Sequence, residues 1–234
     1  MMYVHDERSD WAEGMNEYGI GIVAASLHVT PSRLKKKFPN KHKTLHHHYD
    51  KRVIKALSEK TLKSALDVVI GKNGNFSSSP SIVGMTMLAN SRHGYVIEAT
   101  PIHEPVVEKT DNTKVTVRTN HGIHHEDVGH LEGIKRKSSI SRMELAQKHL
   151  NDVKNPDAIL DTMSKQWVSN KFLNLYRRTN QYNVQTTSQI MLNLSDLEFN
   201  FRWDKNHSTF EGYVNELPDG YKPKIKLNLL QEIK

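Results

Sequence analysis

Between residues 82 and 118 four strand-like pieces follow one another with no helical pattern among them. Residues 82–88, 95–99, 106–109 and 115–118 are separated only by His93-Gly94, Pro101 and Asp111-Asn112. Connections that short cannot hold the crossovers parallel strands need, so the block reads as an antiparallel meander of hairpins. A second β block covers residues 186–194, 197–203 and 208–213, with Asp204 and Asn206 marking a turn. Residues 20–29 form a β-rich run after Gly19 and suit a buried strand.

Helical patterns lie outside these blocks. From residue 50 to 70, Val53, Ile54, Leu57, Leu62, Ala65, Leu66 and Val69 recur at helical spacing, and Gly71 with Asn73-Gly74 stops the helix. Ser77 to Pro80 is then a loop. A second helical zone opens at Ser138 or Ser139, which can cap it, and runs through Met143, Leu145, Ala146 and Leu150. Asn155-Pro156-Asp157 restarts it through Ile159, Leu160 and Met163, with Pro156 at the first helical position. Clustered strands and clustered helices without βαβ alternation predict a layered α+β fold, a single domain over residues 1–234.

The composition supports a foldable, polar protein: 36% hydrophobic and 25% charged residues, with no apolar run of bilayer-spanning length. No secretory leader is read at the start, so the cytoplasm is the expected compartment. The formal charge of +7 concentrates between residues 31 and 49, where Arg33, Lys35, Lys36, Lys37, Lys41 and Lys43 meet no acid. Only Phe38 and Tyr49 interleave with them, too few for base stacking, so a solvated loop is expected and no nucleic-acid partner. Zero Cys excludes disulfides, thiolate metal sites and a cysteine nucleophile within this sequence.

Three polar motifs stand out. Glu13-Gly14-Met15-Asn16-Glu17-Tyr18-Gly19 places an Asn between glycines where backbone can approach a ligand, or simply turns the chain. Arg118-Thr119-Asn120-His121-Gly122 ends a strand with an Asn that can face a cleft or cap local backbone. Ser138-Ser139-Ile140-Ser141-Arg142 opens a helix and puts Arg142 in its first turn, where the helix dipole disfavours a cation.

In that order the motifs resemble the group of N-terminal-nucleophile hydrolases that holds choloylglycine hydrolases, penicillin acylases and acyl-CoA:6-aminopenicillanate acyltransferases. Asn90 through His93-Gly94 to Glu98 is similar to that group's hairpin, and the likeness runs from about residue 10 to 218. It implies an αββα sandwich and cleavage of a linear, non-peptide amide, without cofactor or metal. It further implies that the Asn16 backbone N–H and the Asn120 side-chain N–H form an oxyanion hole, with Arg142 beside the nucleophile. Dimers or tetramers are the assembly it implies.

The departure from the group is chemical. Its members attack through an N-terminal Cys whose own amine is the base, and neither that Cys nor the hairpin carrying it has a counterpart here. The fold is therefore expected to be incomplete at the N-terminus and the chain inactive alone. A late coding start or a split gene accounts for this better than decay, because the three motifs that would serve the Cys are kept. The expected partners are a small-molecule amide and a separate polypeptide or segment with the nucleophile. Ser9 and Thr30 are poor substitutes, since neither is N-terminal. The alternative is a non-catalytic ligand-binding or assembly protein that retains the fold.

His121, His124, His125, Glu126, Asp127 and His130 offer metal-ligand chemistry, but without the H-E-x-x-H order on a helix. Gly122, Gly129 and Gly133 around them make a flexible, substrate-lining loop the better expectation. His121 and Trp11 are the candidates for contact with substrate, and Gln189 is structural. Trp11, Tyr18, Trp167 and Tyr176 read as core or pocket wall.

Overall fold

The structure, a computed structural model, describes residues 1–6, 11–25, 27, 49–71, 84–100, 103–110, 113–125, 133–177, 186, 188–203 and 225–228. The fold is mixed, with antiparallel sheets and, among the described residues, four α-helices. Six strands form one sheet in chain order: β1 (Met2–Asp6), β2 (Trp11–Met15), β3 (Gly21–Ala25), β4 (Gly84–Ala89), β5 (Gly94–Ala99) and β6 (Val106–Thr110). Every neighbouring pair is antiparallel, as the short connections of β4 to β6 required. Asn90 closes the β4–β5 hairpin, its Oδ1 accepting the N–H groups of Arg92 and His93 at 2.9 and 3.1 Å.

The first two strands are unannounced in sequence, and in β2 Glu13 and Gly14 dilute the β signal. Gly14 sits there so that another strand can pass: a Cβ on it would come within 2.6 Å of the Tyr3 Cα. The close approach expected at this glycine is made by β1 and not by a ligand. Residues 115–118, expected as a strand, are irregular. Thr119 is bonded to α3 (Gly133–Leu150), so this segment leaves the sheet instead of extending it beyond β6.

Alternation along the strands gives the sheet two faces. Ala12, Ile22, Leu88, Ile97 and Ala99 pack on one face against Val53, Ala56, Leu57, Leu62, Ala65, Leu66 and Val69. Those partners belong to α1 (Tyr49–Leu57) and α2 (Leu62–Val69), and each fully buried aliphatic there is worth about 1.5–3 kcal/mol. Sequence periodicity predicts one continuous helix, and the structure divides it. Thr61 caps α2 by accepting the Ser64 N–H at 3.1 Å, while the carbonyls of Leu57 and Glu59 turn to the Asn16 side chain.

Against the opposite face lies a second sheet, β7 (Ser188–Asn193), β8 (Glu198–Trp203) and β9 (Ile225–Asn228). Met15 packs there with Phe199 and Phe201, bordered by Met2, Val4, Ile190 and Leu192. Gly21 is needed at this contact, since a Cβ would stand 2.6 Å from the Leu194 Cδ2. The other side of β7 meets α4 (Pro156–Ser164), where the Ser164 hydroxyl donates to Gln189 Oε1 at 2.9 Å. Gln189 is thus structural, as expected, and β9 was not anticipated. The basic run to residue 48, the loop 77–80, the turn at Asp204 and Asn206 and the strand 208–213 lie outside the described residues. No helix among the described residues is long and apolar enough to cross a membrane.

Glu13 is the sheet's unusual acid. Its Oε1 accepts the Ala24 N–H at 2.9 Å, filling in where the β2–β3 ladder has ended. Burial pushes its carboxyl from 4.5 up to about 7, against the opposing pull of the Ala24 and Trp11 hydrogen bonds. A folded-state value above the unfolded one stabilises the fold at pH below 4.5, a contribution lost as pH rises through 7. Glu13→Gln should match the parent near pH 4 and exceed its stability at pH 8 by about 2 kcal/mol, read from urea midpoints at both pH values.

Candidate active site

α3 begins at Gly133, earlier than Ser138, and this changes the meaning of the serine-rich motif. Ser138 and Ser139 are not caps but buried interior residues, and Arg142 is well inside the helix, away from the dipole conflict expected in a first turn. Residues three apart share a helix face, and the motif uses two faces. The Ser138 and Ser141 hydroxyls donate to the carbonyls of Phe172 and Leu173 at 2.7 and 3.0 Å, fixing a short 3₁₀ turn over Lys171–Leu173. Ser139 and Arg142 face the Thr119-Asn120-His121 segment instead.

There the bonds are dense. Thr119 Oγ1 donates to the Ser139 carbonyl at 3.0 Å, and the Asn120 N–H donates to Ser139 Oγ at 3.0 Å. His121 Nδ1 lies 3.0 Å from Thr119 Oγ1 and 2.9 Å from Ser139 Oγ. Thr119 spends its proton on the carbonyl and Ser139 Oγ donates its own to Thr119 Oγ1 at 3.0 Å, so His121 Nδ1 is left to donate to a hydroxyl oxygen. These bonds lock the buried ring in one orientation. Arg142 Nη2 then donates to Asn120 Oδ1 at 2.8 Å, which points the Asn120 Nδ2 donors away from the guanidinium.

The structure therefore brings together Asn120, His121 and Arg142 but gives Asn16 another task. The Asn16 N–H, expected to serve an oxyanion, donates to the Ile20 carbonyl at 2.9 Å. Its fully buried side chain donates to Leu57 O and Glu59 O at 2.8 Å each and accepts from Tyr18 N and Ile20 N at 3.0 and 2.9 Å. That corrects the expected role: Asn16 joins the β2–β3 turn to the end of α1. Trp11 is half-buried beside Glu13, to which its side chain hydrogen-bonds. Tyr18, expected in the core or a pocket wall, is 48% exposed, whereas Tyr176 is buried. Trp167 stacks on His149 with ring centroids 3.5 Å apart.

Histidines that sit together in sequence are dispersed in space. His124 Nε2 meets Glu108, which also pairs with Arg118, and His124 chiefly holds the Glu108 carboxyl below its ordinary value. His125 stacks on His103 at 4.7 Å. No group of three or more metal-ligating side chains forms among the described residues, and Glu126, Asp127 and His130 lie outside them.

The stretch 121–125 is not a loose loop, because Glu98 organises it. Its buried carboxylate accepts the N–H of Ile123 at 3.0 Å, of His124 at 3.0 Å and of His125 at 2.8 Å. Gly122 makes room, since a Cβ would stand 2.8 Å from the His125 carbonyl oxygen and 3.1 Å from Glu98 Oε1. Sequence reasoning missed this acid, although a carboxylate inside the apolar run Tyr95-Val96-Ile97-Glu98-Ala99 was a signal. Arg177 was missed as well. Burial pushes Arg142 down to about 10, and the neighbouring charge of Arg177 adds to the effect.

The sequence profile of the acyl-coenzyme A:6-aminopenicillanic acid acyl-transferase family matches residues 78–206, more than half of the chain. The chain belongs to this family. Within the matched part lie β4 to β8, α3, α4 and the whole Glu98, Asn120, His121, Ser139 and Arg142 arrangement. The Gly14 to Gly19 segment, including Asn16, lies before it. No curated protein matches the chain at a significant level.

Proposed function

We propose that this acyltransferase-family chain acts in acyl transfer at the carbonyl of a linear amide or thioester, by hydrolysis or by transfer to an amine. The observation that carries the reading is the 2.8 Å bond from Arg142 to Asn120, which ties two of the three polar motifs into one donor group. Attack on an acyl carbonyl develops negative charge on its oxygen. Asn120 Nδ2–H would stabilise that oxyanion, and the Arg142 charge would favour both it and an anionic nucleophile nearby. His121, held by Thr119 and Ser139, would shape the adjoining wall. Helices α1 and α2 on one sheet face, β7 and β8 on the other, and α4 beyond them support an αββα sandwich.

A thiolate nucleophile is not supplied by these residues, because the sequence has no Cys. The chain by itself should therefore bind acyl compounds without turning them over. A second reading, ligand binding without chemistry, is favoured by the Asn16 N–H being spent on Ile20. Calorimetric titration with an uncharged N-acyl amide tests the shared part, with Asn120→Ala and Arg142→Gln each expected to weaken binding about tenfold. Undiminished binding by both variants, or none by the parent, would defeat the proposal. Turnover that appears when a Cys-bearing N-terminal polypeptide is added separates the enzyme from the binding protein.

A further inference from the structure

Arg142 and Arg177 are placed at one junction by different elements. Ser141, next to Arg142, bonds to Leu173, and Arg177 lies with its Cζ 5.8 Å from the centroid of the Phe172 ring in the same turn. Arg177 is held in place through its backbone, its N–H donating to Thr186 Oγ1 at 3.0 Å and its carbonyl accepting from Thr186 N at 3.2 Å. In both guanidiniums the Nε is buried without a hydrogen-bond partner. Neither forms an ion pair with a carboxylate among the described residues. The only hydrogen bond from either guanidinium among them is Arg142 Nη2 to Asn120 Oδ1. Glu108, the acid of the neighbouring segment, is already engaged by Arg118 and His124.

Two adjacent cations in a water-poor setting repel each other and have lost solvation, and folded proteins offset this with a counter-ion. Here the protein provides none among the described residues. Both residues keep part of their surface exposed. The Nε edge of a guanidinium is the side that pairs with two oxygens of a carboxylate or phosphate at once.

We infer that Arg142 and Arg177 form a binding subsite for an oxyanion, the carboxylate or phosphate group of a ligand whose acyl carbonyl lies toward Asn120. The inference rests on the proposed acyl-transfer reading for that orientation, and on its own observations for the anion. Burial holds both arginines below their ordinary values, Arg142 further through the charge of Arg177, which is the direction a missing counter-ion gives.

The test uses the whole chain in a chloride-free buffer at low ionic strength, titrated with sodium acetate and separately with inorganic phosphate. Thermal melting and calorimetry are the readouts. Either anion should raise the melting temperature in a saturable way. Arg177→Gln should weaken anion binding by about tenfold or more, as the loss of one charge-assisted partner implies. Without anion the same variant should melt higher than the parent, since the like-charge contact is gone. If Arg177→Gln does not fold, Arg177→Lys serves: it should lose acetate binding more than phosphate binding, because a point charge cannot form the fork. Saturation by acetate at lower concentration assigns a carboxylate, and by phosphate a phosphoryl group. No saturable response, a response that potassium chloride reproduces, or Arg177 variants that bind both anions like the parent would overturn the inference. Binding of the uncharged amide without anion binding refutes this subsite alone, and the converse refutes the acyl-transfer reading alone.

Discussion

Asn16→Ala is expected to lower the unfolding free energy by about 4 kcal/mol, roughly a 10 °C fall in melting temperature. The amide makes four hydrogen bonds at a fully buried site, and alanine replaces none of them. Leu57 O and Glu59 O would lose the donor they accept from where α1 ends, and Ile20 N would be left unpaired in the interior. Each orphaned buried group costs about 1–3 kcal/mol, partly offset where water can enter beside exposed Tyr18. Asn16→Asp is a sharper variant. It keeps an acceptor for Tyr18 and Ile20 but sets a carboxylate oxygen against two carbonyls, so it should be no more stable than the alanine variant. Urea unfolding of the three proteins reads this directly. A loss under 1 kcal/mol for both variants would mean that the amide is not engaged in solution, and its suggested place in an oxyanion hole would reopen.

The same residue shows what could be read from sequence and what could not. The type and position of the motif were legible, as were the hairpin at Asn90, the strands 94–99 and 198–203 and the helix at Pro156, because each depends on neighbours in the chain. The role was not legible, since the two carbonyls that accept from the Asn16 side chain lie 41 and 43 residues away and nothing local encodes them. Ser138 and Ser139 failed for a related reason. Hydroxyls before an apolar stretch look like caps, yet here the helix begins earlier and spends them on Phe172, Thr119 and His121. Pairing Asn120 with Arg142 needed the resemblance; burial of Arg177 beside Arg142 needed the fold.

The 121–125 segment gives the second large effect. Three consecutive backbone N–H groups converge on Glu98, an arrangement that binds anions wherever it occurs, and here the chain fills it with its own carboxylate. Glu98→Gln retains one acceptor oxygen and turns an NH₂ group toward the remaining donors. Two charge-assisted bonds are lost and a donor meets a donor, so the expected cost is about 3–4 kcal/mol. The loss should be local before it is global. Amides 123–125 should lose protection in hydrogen exchange while those of β4 and β5 keep most of theirs. Because Asn120 precedes this segment directly and His121 opens it, the variant should also bind the uncharged N-acyl amide about tenfold more weakly, although Glu98 need not touch it. Gly122→Ala forces the same outcome from the other side, since its Cβ would fall between the His125 carbonyl and Glu98 Oε1. If both variants leave exchange at 123–125 and amide binding unchanged, then Glu98 does not position the candidate site, and the order in that segment comes from Thr119 and Ser139 alone.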